Sequence, residues 1–208
     1  MLKALVVDDH FFIRASVSMV LAAAGLQVIA EAGDGVEAVQ LVREHKPALI
    51  LLDISMPLLD GMGVIDHVTR LELGCKILVL TSLEPNFYAQ RCMSAGAHGY
   101  VSKSDDLKEL SRAVKALLGG YTNFPILARN SVRDLDANSS EQALVQKLSN
   151  RELAVLQQLA RGFSNKEIGD AMLLSNKTVS NYKSRLIEKL NVKSLIYLAD
   201  FAKRNKLI

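Results

Sequence analysis

Ala48-Leu-Ile-Leu-Leu-Asp-Ile-Ser-Met-Pro57 contains a short, unbroken apolar run that stops at a carboxylate. A run without polar–apolar alternation suits a strand whose sheet is covered on both faces, so Ala48–Leu52 reads as a buried strand ending at Asp53. Other brief, mostly apolar runs without regular alternation are Leu2–Val7 before Asp8 and Asp9, Gln27–Ala32, Lys76–Thr81, and Gly99–Val101 just ahead of Lys103. Helix-length amphipathic segments separate these runs, near 11–24, 35–45, 61–71, 86–96 and 105–118. Gly25, Gly74, Gly96 and the pair Gly119-Gly120 stand where the chain should leave a helix. Such alternation predicts an α/β fold, a doubly wound five-stranded parallel sheet with right-handed crossovers. Function in such sheets sits at the carboxyl ends of the strands.

The 208 residues carry 25 Lys/Arg and 22 Asp/Glu, a net charge of +3 that hides an uneven division. Residues 1–120 hold 11 basic and 14 acidic side chains, whereas residues 149–208 hold 11 basic and only 5 acidic ones. An acidic front and a basic tail suggest two tasks on one chain, the second involving a polyanion. Half the residues are hydrophobic and 23% are charged, which fits a globular protein rather than a disordered one. Cys75 and Cys92 form no CxxC pair, so neither a disulfide framework nor a cysteine-rich metal site is suggested. The N-terminal apolar stretch reaches Asp8 too soon for a signal peptide. No uncharged apolar run approaches the roughly 18 residues of a membrane span. A soluble, cytoplasmic protein without a membrane partner is expected.

Residues 121–145 change character, and 129–140 in particular offer few apolar anchors, so this stretch reads as a linker between domains 1–120 and 146–208. The last segment reads as a small all-α domain. Ser149-Asn-Arg-Glu152 and Ser164-Asn-Lys-Glu167 have the form of capping boxes, and Ser175 and Ser194 precede two further helices.

Placing the polar residues of the first domain on its strand ends assembles a site. Asp8 and Asp9 end the first strand, Asp53 the third and Thr81 the fourth, and Lys103 follows the fifth. Each alone has a plainer use, an Asp as a helix cap or a Lys as a solvated tip. Together, three carboxylates at one sheet edge repel one another unless a cation intervenes, and Mg²⁺ suits them as a hard cation that takes oxygen ligands. A carboxylate beside it could attack a phosphoryl group, giving an acyl phosphate.

Val7-Asp-Asp-His10, Leu51-Leu-Asp-Ile-Ser-Met-Pro57, Asp60-Gly61, Leu80-Thr-Ser82 and Gly99-Tyr-Val-Ser-Lys103 together resemble the receiver domain of two-component response regulators, a flavodoxin-like fold. The resemblance implies that Asp53 accepts phosphate from a sensor histidine kinase. It implies that Asp8, Asp9, Asp53 and the backbone carbonyl of Ser55 serve Mg²⁺, and that Thr81 and Lys103 contact the phosphoryl group. Tyr100 becomes the switch aromatic, entering space vacated when Thr81 is drawn towards the phosphate, although by itself it could equally be a core residue. Ser104 stands where many receivers have proline after the lysine, so the preceding peptide is expected to be trans.

In the basic domain, helical patterns near 150–161, 165–172 and 176–190 have helix-turn-helix spacing, with Leu173-Leu174 in the turn. On the third helix Val179, Tyr182, Leu186 and Leu190 share one side, while Lys177, Asn181, Ser184 and Glu188 share the other. Short hydrogen-bonding side chains ringed by lysines are what insertion into a major groove requires, though a solvated amphipathic helix shows the same pattern. Leu148-Ser-Asn-Arg-Glu152, Gly162-Phe-Ser-Asn-Lys-Glu-Ile168, Thr178-Val179 and Lys189-Leu-Asn-Val192 resemble the LuxR-type helix-turn-helix. The two domains together resemble the NarL/FixJ subclass of response regulators, with 174–185 and 202–205 especially similar to the BvgA/EvgA virulence-type regulators. By that resemblance Lys177, Ser180, Asn181 and Ser184 meet base edges in double-stranded DNA, and Thr178, Lys183 and Lys189 meet phosphates. Leu195, Leu198, Ala199 and Ala202 form a stripe that packs within its own domain and, by resemblance, belongs in part to the surface of a homodimer formed on phosphorylation. RNA polymerase is a further implied partner. The reading is therefore a regulator rather than an enzyme. A phosphohydrolase would want an acid/base carboxylate two residues beyond Asp53, where Ser55 stands. A phosphorylation-independent DNA-binding regulator that uses its receiver for dimerisation is the remaining alternative.

Overall fold

The protein is described from a computed structural model, covering residues 1–125, 138–205 and 207–208, with backbone alone at 138–140 and 142. The chain forms two compact units, Met1–Leu127 and Ala128–Ile208.

In the first unit, strands β1 (Leu2–Val7), β2 (Leu26–Ala32), β3 (Leu49–Leu52), β4 (Lys76–Thr81) and β5 (Gly99–Ser102) alternate with helices. These are α1 (Phe11–Ala23), α2 (Gly35–His45), α3 (Gly61–Arg70), α4 (Pro85–Ala95) and α5 (Leu107–Leu118). All pairings are parallel, in the order β2-β1-β3-β4-β5. Each expected strand and helix forms, with ends shifted by at most one or two residues. Every residue of β3, and β1 from Ala4 onward, is buried, which explains why neither run alternates. The ladder carries the site residues with it. Val7 pairs with Leu52, and Asp53 N–H donates to the Val7 carbonyl at 2.8 Å. Lys103 N–H likewise donates to the Thr81 carbonyl at 2.9 Å. Because β1 has β2 on one side and β3 on the other, the chain reverses direction across the sheet between β1 and β3. The crevice at that switch point is bounded by Asp8, Asp9 and Asp53.

Three other aspartates have the capping role that any of them could have had. Asp34 accepts from Val36 and Glu37 N–H, Asp60 from Gly63 N–H, and Asp106 from Glu109 N–H, starting α2, α3 and α5. After α5 the chain returns to the sheet edge, where Asn123 forms an isolated bridge with Gly99. Tyr100 N–H donates to the Asn123 carbonyl at 2.7 Å, and Asn123 N–H to the His98 carbonyl at 3.1 Å. The start of the expected linker is thus held on β5.

The second unit contains α6 (Asn138–Gln146), α7 (Asn150–Ala160), α8 (Asn165–Met172), α9 (Asn176–Lys189) and α10 (Leu195–Arg204). Helix α6 lies inside the stretch expected to be a linker, much of whose remainder falls outside the described residues. Both capping boxes form, at Ser149/Glu152 and Ser164/Glu167, and Ser175 caps α9, whereas Ser194 makes no side-chain cap. Val145, Leu148, Leu153, Leu156, Ile168, Val179, Leu186, Leu198 and Phe201 are among the buried apolar residues of this unit. The α8–α9 turn needs Gly169, because a Cβ there would lie 2.6 Å from the Leu174 carbonyl oxygen. Among the described residues no helix is long and apolar enough to cross a membrane.

Candidate functional site

The crevice is organised around one ammonium and two buried carboxylates. Lys103 Nζ lies 2.8 Å from Asp8 Oδ2 and 2.7 Å from Asp53 Oδ2. Asp8 is fully buried, and Asp53 is 2% exposed. Asp53 Oδ1 accepts Ile54 N–H at 2.6 Å and Ser55 N–H at 3.2 Å, so the loop after β3 clasps its own carboxylate. Burial works against the Lys103 ammonium, but the hydrogen bonds and charges of Asp53 and Asp8 outweigh that and raise its pKa above the ordinary lysine value. Asp8 Oδ2 is ion-paired with Lys103, but no donor among the described residues makes a well-aligned hydrogen bond to it, so it is under-satisfied for a buried oxygen. One ammonium cannot neutralise two buried carboxylates with Asp9 beside them. The crevice has negative charge to spare.

A cation-holding cluster lies at its mouth. Donor atoms of Asp8, Asp9 and His10 fall within 4.8 Å of one another and could hold a metal ion. His10 Nδ1 is 2.6 Å from Asp9 Oδ1 and 3.4 Å from Asp8 Oδ1. The sequence reading placed no role on His10, although its position directly after Asp9 was the available signal. Gly61 was also missed. A Cβ there would lie 2.2 Å from the Asp53 carbonyl oxygen and 2.7 Å from Ile54 Cα, so the start of α3 rests directly on the backbone of Asp53. Gly61 N–H also donates to the Ile54 carbonyl at 3.0 Å.

Thr81 is fully buried at the end of β4, and its hydroxyl accepts Leu83 N–H at 3.4 Å. Tyr100 on the neighbouring strand is 2% exposed and donates its hydroxyl to the Leu83 carbonyl at 2.6 Å. Burial, followed by the charges around it, raises the Tyr100 phenol well above its ordinary pKa, keeping it a neutral donor. Tyr100 occupies an inward seat while the Thr81 hydroxyl accepts from its own loop. The Lys103–Ser104 peptide is trans.

In the second unit the recognition-type helix α9 divides as its periodicity predicts. Val179, Leu186 and Leu190 are buried and Tyr182 is half-buried, while Lys177, Ser180, Asn181, Ser184, Arg185 and Glu188 are exposed. Thr178 and Lys183 flank this face, half-buried. The half-exposed ammonium of Lys189, expected to meet a phosphate, lies 2.8 Å from Glu152 Oε1. Burial pushes the Glu152 carboxyl up, but Lys189 and Ser149 prevail and hold it below the usual glutamate value. The stripe expected on α10 packs largely within its own domain. Leu198 and Ala202 are fully buried and Ala199 is half-buried, because this is the face that α10 turns to α7; only Leu195 of the four is exposed. The exposed apolar neighbours on the helix are Ile196 and Tyr197.

A doubly wound sheet with an acidic crevice, followed by a helical unit containing a helix-turn-helix, defines a receiver joined to a regulatory domain. Residues 4–115 match the family described as "Response regulator receiver domain", and residues 146–202 match "Bacterial regulatory proteins, luxR family". The chain belongs to the two-component response regulators that combine these two domains. It is 46% identical to the virulence-factor transcription regulator BvgA of Bordetella pertussis over 99% of this chain and 98% of that protein. It is 34% identical to the DNA-binding transcriptional activator EvgA of Escherichia coli K12, over 99% of this chain and 100% of that protein. Its fold is like that of the response regulator RcsB of Salmonella typhimurium, with a TM-score of 0.72 at 24% identity, covering 98% of both chains.

Proposed function

We propose that Asp53 is a phosphoacceptor whose modification, by a phosphohistidine of a sensor kinase, controls sequence-specific DNA binding and transcription. The observation that carries this reading is the buried Asp53 carboxylate beside Asp8, with Lys103 Nζ 2.7 Å from its Oδ2 at the end of β3. An Asp53 oxygen attacks phosphorus, the bond to the donor nitrogen breaks as the O–P bond forms, and the electron pair leaves with the donor imidazole. Lys103 then exchanges its carboxylate contact for a phosphoryl oxygen, and the Thr81 hydroxyl turns from Leu83 to another. Asp8, Asp9, Asp53 and the Ser55 carbonyl would hold Mg²⁺; the under-satisfied Asp8 Oδ2 and the carboxylate-rich donor set support that fit. When bound, Mg²⁺ supplies positive charge against the carboxylates and the incoming phosphoryl oxygens.

The chain divides into a receiver over 1–120, a connection over 121–145 and a DNA-binding domain over 146–208, working in the cytoplasm. On α9, Lys177, Ser180, Asn181 and Ser184 face the major groove, Thr178 and Lys183 meet phosphates, and Lys189 can reach a phosphate only by leaving Glu152. Two copies bind paired half-sites about one DNA turn apart, with exposed Leu195 contributing to their contact, and RNA polymerase is recruited there. The test is to treat full-length wild type and Asp53→Asn with acetyl phosphate and Mg²⁺, then measure phosphoryl incorporation and binding to promoter DNA. Wild type gains one phosphoryl group and binds DNA more tightly, and Asp53→Asn does neither. Equal labelling of the two proteins refutes the assignment.

A further inference from the structure

We infer that His10 is itself a metal ligand of the crevice, and that its imidazole shifts the site's preference from Mg²⁺ towards nitrogen-tolerant divalent ions such as Co²⁺. The inference rests on the reading of Asp8 and Asp9 as metal ligands. His10 is the N-cap residue of α1, yet its side chain makes no capping hydrogen bond. Ser, Thr, Asp or Asn would serve that position better. The ring instead turns back onto the carboxylates, and the His10 backbone N–H donates to Asp8 Oδ1 at 2.9 Å, pinning the turn that presents it.

The separations suit a shared ion. Metal–oxygen and metal–nitrogen bonds of about 2.1 Å place neighbouring donors of an octahedron roughly 3.0 Å apart. His10 Nδ1 stands 2.6 Å from Asp9 Oδ1 and 3.4 Å from Asp8 Oδ1, on either side of that value. Donor atoms of all three lie within 4.8 Å of one another, close enough to share one ion. The Asp53 oxygens are more heavily engaged, one by Lys103 and the other by Ile54 and Ser55 N–H. The exposed Asp9 and His10 side chains, paired among the described residues only with each other and with Asp8, thus offer the more accessible donors of the crevice. Carboxylate and water satisfy Mg²⁺, whereas imidazole favours the later transition ions, so one nitrogen in an otherwise oxygen shell biases the choice. The plainer reading is an exposed ion pair between His10 and Asp9, which requires no metal.

Pulsed electron paramagnetic resonance of the tag-free, full-length protein loaded with Mn²⁺ separates the two. Wild type is expected to show nitrogen coupling from a directly bonded imidazole. His10→Asn, which keeps a good N-cap, should still bind Mn²⁺ without that coupling. Calorimetric competition should also show the Co²⁺-over-Mg²⁺ preference falling roughly tenfold or more in His10→Asn. Mn²⁺ bound to wild type without nitrogen coupling, coupling that persists in His10→Asn, or an unchanged Co²⁺/Mg²⁺ ratio overturns the role of His10 and leaves the carboxylate site standing. No Mn²⁺ binding to wild type overturns the metal site as well.

Discussion

Replacing Lys103 by Met keeps most of the aliphatic stem and removes the only cation found between Asp8 and Asp53 among the described contacts. The two ion-pair distances are 2.8 and 2.7 Å, and the Lys103 side chain is only 11% exposed, so solvent screening offers little relief. At an effective dielectric of about 20 each contact carries a gross attraction of about 6 kcal/mol, most of it cancelled by the cost of desolvating the charges. Removing the cation leaves two buried carboxylates facing each other, and a loss of about 3–5 kcal/mol is expected, the range for breaking a buried pair. Because the folded-state pKa of Lys103 is raised above 10.5, its contribution is fully present below that value and lost only as pH rises through the higher folded pKa. Measurements between about pH 7 and pH 9 therefore see the whole effect. Calorimetric unfolding of the full chain in EDTA should show the receiver transition falling in Lys103→Met, with the second unit's transition unmoved. Mg²⁺ then separates repulsion from mere packing loss. At one fixed Mg²⁺ concentration, chosen to give wild type about 2.7 kcal/mol (roughly a hundred times its dissociation constant), the variant should gain more, because in wild type the ammonium competes for the same oxygens. A loss below about 1 kcal/mol in EDTA, or equal gains from Mg²⁺, would refute the electrostatic account of the crevice.

Glu152→Gln should cost the second unit about 1–2 kcal/mol near neutral pH, since it breaks a charged contact whose lysine is half exposed. The depressed Glu152 pKa makes that advantage full above 4.5 and lost as pH falls through the folded value below it, so urea titrations should show the gap closing as pH falls below 4.5; a constant gap would contradict the pairing. Gly61→Ala should destabilise the receiver by about 1–3 kcal/mol and slow Asp53 labelling by acetyl phosphate, because its Cβ meets backbone at 2.2 Å. Gly63→Ala meets side-chain atoms rather than backbone, the flexible end of Leu59 most closely and Asp60 Oδ1 at 3.4 Å, and should cost less than Gly61→Ala in both assays.

Which features were legible in the sequence follows from how far apart the deciding residues lie and what covers them. Strands β1, β3 and β4 announce themselves through unbroken apolar runs, and parallel order then brings Asp8, Asp53, Thr81 and Lys103 to one edge without any knowledge of side-chain packing. Contacts that depend on one rotamer or one partner leave no such trace. The turn of His10 onto Asp9 competes with capping α1, and residue type alone does not decide between them. The pairing of Lys189 with Glu152 joins two helices across 37 positions, so a lysine counted as free for DNA is already engaged. Asn123 on β5 and the helix α6 lie in a stretch whose composition is poor in apolar residues. The anchors there are single ones, such as buried Val145 and the Glu141 carboxylate that holds Arg204 and Asn205.

The α10 stripe exposes a limit in the logic of periodicity itself. Spacing at i, i+3, i+4 and i+7 finds the apolar face of a helix, and the first claim on that face comes from the helix's own domain, which must close a small core. Leu198 and Ala202 are used in this way, leaving Leu195 at the margin. Ile196 and Tyr197 fall off the stripe and are exposed by 74% and 52%, although both are large and apolar. A domain this small does not leave two such side chains in water without cost, so an intermolecular contact through α10 should extend from Leu195 onto Ile196 and Tyr197.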